Sequence, residues 1–409
     1  MSFRLSIFLA AVPAAAWLAA GPFLPGARAS LPGTADSQQS NRPPRLSEKE
    51  TFPVVQADTL RPAPGWPLWI KDFSRGVRGE KTSAIIFAGR DSGGHPCFFL
   101  ADEIGFLRFC RVIESQASPR IELEEVRFDE SVFRDLGDRL RWDFEALATT
   151  SDPLTLPDSL DALLAIEGDA RDGATRILGI RLIHDGPGRP GTTSRWRVVS
   201  RGDLFPGVRF WNTYTAADRG LKGLAVRGRF TFLGLDYVGR RNGIRLPGTL
   251  LFVYDHSRDR VAELSTADYG IYSIAGLDAP VDSVTLAVDS GRMCLDLLKW
   301  DYAGTGRVQD CRRYPLALHG PGGFRYGVPN IEGVAVDDRG DIWCVNDPLF
   351  GHYRAFSPDL PESVRVYMEA GIPMLYRFPG GPVWRTAGLS GALARRAGRA
   401  SASSGSKEE

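Results

Sequence analysis

The sequence predicts an all-β fold, a β-propeller of about five blades of four-stranded antiparallel sheets, and three observations predict it. The first is a hairpin built from Asn330-Ile331-Glu332-Gly333-Val334-Ala335-Val336 and Asp341-Ile342-Trp343-Cys344-Val345-Asn346-Asp347, two apolar runs joined by Asp and Gly. The second is its repetition: Ser83 to Gly89 with Cys97 to Asp102, Asp143 to Ala148 with Leu163 to Glu167, Gly220 to Val226 with Phe230 to Asp236, and Asp282 to Val288 with Met293 to Asp296. Copies start roughly 50 to 80 residues apart, which suits one small sheet per copy. The third is composition. Gly (45) and Pro (28) are spread along the chain, and long stretches at helical spacing are nearly absent. A single such sheet is apolar on both faces, so each copy needs a neighbour on either side, and radial stacking supplies it. A sixth blade fits if one copy is too degraded to see, and a large β-sandwich is the rival fold.

Each region follows from its residues. Arg4 precedes an apolar run from Leu5 to Leu24, and Ala27-Arg28-Ala29 offers small residues for cleavage, so residues 1–29 read as a signal peptide. An uncleaved anchor is the alternative; Pro13, Gly21 and Pro22 argue against it. Residues 30–66 are rich in Pro, Ser and charge and read as a linker or surface strap. Residues 67–384 hold the propeller, and 385–409, rich in Arg, Ala, Gly and Ser, read as a disordered tail. The expected location is the periplasm or the medium, with no integral membrane domain after cleavage. Cys97 with Cys110, and Cys294 with Cys311, each bracket a turn and either pair as disulfides or stay buried thiols; Cys344 is left over.

Function is constrained first by charge. A formal net charge of +1 with scattered basic residues gives no reason to expect nucleic acid. There is no G-x-S-x-G elbow, H-E-x-x-H helix or phosphate-binding Gly loop. Aligning the copies on the first strand, which faces the axial channel, gives two polar columns: Ser83, Asp143, Gly220, Asp282, Asn330, and Ile85, Glu145, Lys222, Val284, Glu332. A carboxylate on a strand buried between sheets needs water, a cation or a basic partner. Glu145, Glu332, Asn330 and Asp347 are therefore candidate ligands for Ca2+ or another hard divalent cation, with Asp143, Asp236 and Asp282 as further channel candidates. Lys222 in the same ring makes an internal ion-pair network the alternative. A second acidic set closes the hairpins: Asp102, Glu167, Asp236, Asp296 and Asp347. His352, on the loop after Asp347, is the candidate proton carrier.

Asp143 to Ala148, Asn330 to Val336 and Ile342 to Asp347 resemble the phytase-like ("esterase-like activity of phytase") family of secreted bacterial β-propellers. Lys222-Gly223-Leu224-Ala225 with Phe232-Leu233-Gly234-Leu235 is similar to the same broad group, and the resemblance runs from Ser83 to Phe378. It implies hydrolysis of carboxylic or phosphate esters but carries over no nucleophile, and the dense acidic clusters of calcium-dependent propeller phytases are not evident. Gluconolactonase-type propellers, which hold one cation with Glu, Asn and Asp, are matched only by Glu332, Asn330 and Glu145. Two functions follow: a metal-assisted hydrolase of a small ester or phosphoester, or a non-catalytic propeller binding a protein or small ligand in the cell envelope. Envelope scaffolding through the tail from Arg385 is a third.

Overall fold

The computed structural model describes residues 54–114, 118–137, 142–167, 175–186, 195–203, 220–236, 240–241, 244–245, 248–266, 269–300, 308–320, 330–348 and 360–389. Five sheets of four or five strands form the blades of a propeller. Their innermost strands, in order, are Thr82–Arg90, Asp143–Thr149, Leu221–Arg227, Gly276–Val281 and Asn330–Val336. Neighbouring inner strands pack side by side, and the fifth packs on the first, so the ring closes.

The core is divided in five, one apolar cluster at each seam between blades. Alternation along each strand makes this possible, because successive side chains leave a sheet on opposite faces. In blade one Ala84, Ile86 and Ala88 enter the seam with blade two, while Ile85 and Phe87 enter the seam with blade five. Small residues are needed where inner strands crowd the axis: a Cβ on Gly276 would lie 2.3 Å from the carbonyl oxygen of Glu332.

Blade five is completed from far away in the sequence. Leu68–Trp69 pairs antiparallel with Met374–Leu375 as its outermost strand. Val54–Gln56 adds in parallel to Val308–Pro315 on the outside of blade four, and Arg127–Phe128 does the same for blade two. Two small hairpins, Lys71–Asp72 with Val77–Arg78 and Arg240–Arg241 with Ile244–Arg245, and short helices at Glu130–Leu136, Glu362–Glu369 and Gly381–Thr386 complete the described elements, and none of the helices is long and apolar enough to cross a membrane.

One expectation changes and one open alternative is decided. The fourth hairpin copy is the second and third strands of its blade, Val284–Asp289 and Cys294–Trp300; the inner strand is Gly276–Val281. Asp282 therefore sits in the turn before Val284, largely exposed and paired with Arg227 at 2.7 Å, and it is not a channel residue. The cysteines are all buried free thiols. Cys97 pairs in register with Arg111, and Cys110 with Phe98, so a one-residue offset sends the two thiols to opposite faces of the blade. Cys294 opposes Pro315 while Cys311 opposes Leu298, four positions away.

Candidate functional site

One local device builds the site. Near the start of four of the five inner strands a β-bulge inserts an extra residue: Ser83, Glu145, Lys222 and Glu332 are skipped by the pairing between Thr82 and Ala84, Phe144 and Ala146, Leu221 and Gly223, and Ile331 and Gly333. A bulge re-aims its side chain, and here it puts polar groups in the channel where plain alternation would bury them in a seam. Two residues earlier lie Lys81, Asp143, Gly220 and Asn330. Opposite these, at the end of each second strand, lie Glu103, Glu167, Asp236 and Asp347. Blade four contributes Ser273 and Ser290, whose hydroxyls are 2.9 Å apart; Ser273 donates to Asp236 at 2.5 Å.

Lys222 holds the centre. Its Nζ lies 3.2 Å from Glu145 and 3.5 Å from both Glu103 and Glu332. Around it the acids form two triads, Asp143–Glu145–Glu167 and Glu103–Glu332–Asp347, each able to bring three carboxylate oxygens within 4.8 Å of one another. Lys222 and Lys81 oppose seven described carboxyl groups, counting Asp236. The excess leaves atoms stranded: both oxygens of fully buried Asp347, Oε2 of Glu332 and Oδ1 of Asp143 have no hydrogen-bond partner. The amide of half-buried Asn330 donates to Glu332.

Protonation follows from burial and crowding. Burial first, then the neighbouring acids, push Asp143 up to about 8, Glu167 up to about 9 and Asp347 up to about 7. Glu332 and Glu145 are also raised, burial outweighing the nearby Lys222. Burial alone would lower the Lys222 ammonium, but Glu332 and Glu145 overcome it and hold it well above the usual lysine range.

Beneath this mouth the channel narrows. Ile85, Leu147, Leu224, Leu277 and Val334, one from each blade, line a cavity of only about 10 Å3 under Lys222 and Glu332. The acids therefore lie above an apolar constriction.

The structure brings Glu332 and Asp347 together as the sequence predicts, and places Asn330 against Glu332. Glu145 joins the other triad across Lys222, with Asp143. Asp236 approaches Lys222 from blade three. Two hairpin-closing acids serve other ends: Asp102 pairs with Arg108 and accepts from Thr82 at 2.9 Å, and Asp296 on a third strand pairs with Arg313 at 2.8 Å. In blade one the acid in register is Glu103, one residue beyond Asp102, which sequence reasoning missed along with Lys81. The adjacent acids Asp102-Glu103 were the available signal. His352 lies outside the described residues.

No protein-family model and no curated protein matches the chain. Solved structures that align with it include a luciferin-regenerating enzyme, at 12% identity over 77% of this chain and 96% of that one, TM-score 0.38. Another is YCF48 bound to D1 peptide, at 9% identity over 72% and 69%, TM-score 0.29.

Proposed function

We propose that this chain is an exported propeller of phytase-like type in which the triad Glu103–Glu332–Asp347 holds a hard divalent cation and supports hydrolysis of an ester or phosphoester. One observation carries the reading: buried Glu332 and Asp347 have three unpartnered oxygens and converge with Glu103. An all-oxygen donor set suits Ca2+, Mg2+ or Mn2+ over softer ions.

A cation there would polarise the substrate oxygen and lower the pKa of bound water. Lys222, fixed between the triads, offsets negative charge that builds on the attacked group. Half-buried Asp143, with its carboxyl near 8, keeps its proton at neutral pH and is suited to act as general acid. In the reaction a water oxygen bonds to the carbonyl carbon or phosphorus, a water proton passes to solvent, and the ester bond breaks. The leaving alkoxide takes the proton of Asp143. His352 is the alternative carrier. Export rests on the apolar run and small-residue site within residues 1–29.

The second reading, a non-catalytic propeller whose charges serve packing and ligand binding, draws on the three ion pairs of Lys222. Calorimetric titration with Ca2+, Mg2+ and Mn2+, with aryl ester and aryl phosphate assays, separates the two. Saturable binding and turnover, both abolished in Glu332→Gln and Asp347→Asn, are expected of the hydrolase. No metal binding, or turnover indifferent to these substitutions, refutes it.

A further inference from the structure

Away from the channel, a cleft of about 270 Å3 opens on the outer rim at the seam where blade five meets blade one. On one side is the closing strand Leu68–Trp69 and the turn that follows it; on the other is the outermost strand of blade one, Arg120–Glu125. Leu68 and Ile121 give it an apolar floor. Trp69 and Phe73 wall it, and Phe73 is 63% exposed, an unusual place for a large aromatic side chain.

Its charges are uneven in availability. The Asp72 carboxylate is saturated by the N–H groups of Ser74, Arg75 and Leu123 and the Ser74 hydroxyl. Glu122 is taken by Arg111 and Arg120. Lys71 has no carboxylate partner among the described residues. Its ammonium rests instead against two ring faces, 4.9 Å from the centroid of Phe73 and 4.6 Å from that of Tyr367. Tyr367 in turn touches Trp69 and Phe73, with ring centroids 5.5 and 5.6 Å apart, so the rings and the ammonium hold one another in place.

We propose that this rim cleft binds a small planar aromatic carboxylate, its ring between Trp69 and Phe73 over Ile121 and its carboxylate on Lys71. The apolar floor and exposed ring call for a flat apolar body, and Lys71, the cleft's one cation without an ion pair among the described residues, calls for an anion. The volume lies below the ~300–1000 Å3 of drug-sized pockets, which limits the ligand to one or two rings. The cleft spans the joint that closes the ring, so occupancy stabilises the closed propeller by mass action. This site is independent of the channel and of any metal there.

The test is calorimetric titration of the full chain with 2-naphthoate, its neutral analogue 2-naphthamide, and cyclohexanecarboxylate, each with and without EDTA. Saturable naphthoate binding is expected, with the amide weaker by about fivefold or more, since one desolvated charge pair at ~4 Å contributes at least that much. Cyclohexanecarboxylate should also be weaker, and EDTA should change nothing. Lys71→Met should remove the difference between acid and amide, and Phe73→Ala should weaken both. Phe73 is exposed, Lys71 is half-buried and neither belongs to an apolar core cluster, so the variants keep the fold. Absence of saturable naphthoate binding, equal affinity for acid and amide, or indifference to Lys71→Met overturns the proposal.

Discussion

Binding of a divalent cation at Glu103–Glu332–Asp347 must release protons, and the number can be worked from the structure. Asp347, pushed up to about 7, is about nine-tenths protonated at pH 6 and about one-tenth at pH 8. Glu332 is also raised well above the usual carboxylate range by its burial and adds to the count. A cation binds the ionised carboxylates, so its entry at pH 6 should expel one to two protons. Apparent affinity should then rise by about fivefold between pH 6 and pH 7 from Asp347 alone, by more as Glu332 also gives up its proton, and flatten above the pKa values concerned. The assay is calorimetry of Ca2+ or Mn2+ binding in buffers of different ionisation enthalpy, which counts protons directly, repeated at each pH. Metal binding that releases no protons, or an affinity that does not change from pH 6 to 7, would refute the placement of the cation on these two buried acids.

Without metal, stability should fall as pH rises. Asp143 and Glu167 titrate near 8 and 9 in the folded chain and near 4 when unfolded, so the folded state holds protons that the unfolded state has lost. Their contribution is fully present below about pH 4 and is lost progressively as pH rises through about 8 to 9, a loss of at least a few kcal/mol that thermal melts in EDTA should show and added Ca2+ should reverse. Lys222→Met removes the central counter-charge and should cost about 3–5 kcal/mol in denaturant unfolding at pH 8, while tightening divalent cation binding at least about tenfold. Gly276→Ala should cost about 1–3 kcal/mol by pressing a methyl group on the Glu332 carbonyl, and should weaken metal binding if the bulge moves. Thiol titration in denaturant should find five free cysteines with or without reductant, and reductant should leave the melting temperature unchanged.

The repeated hairpin was readable because architecture imposes it: every blade must present apolar residues to two seams, and Ala84 to Phe87 or Val334 to Val336 cannot do otherwise. Blade four escaped because Gly276-Leu277-Asp278-Ala279-Pro280-Val281 matches the template poorly. The eye settles on Val284 to Asp289, the next strand. The site was half legible. Glu145, Lys222 and Glu332 stood out as charges on apolar strands, but a bulge leaves no mark in sequence, so the alignment paired Ile85 with Glu145 where the structure pairs Ser83. For the same reason Glu103 was passed over for Asp102. The split into two triads depends on the depth of Lys222, and no spacing rule encodes that.

The two residues Leu68 and Trp69, on the rim of blade five, bear on how the molecule is made. Their partners Met374 and Leu375 belong to the last strand among the described residues to emerge from the ribosome, so this joint forms only when nearly the whole chain is present. Until then the earlier blades lack a closed circle, and the seams of blades one and four that blade five will fill stay wet. A chain built this way delays its own completion, because the closing contact is the one it makes last.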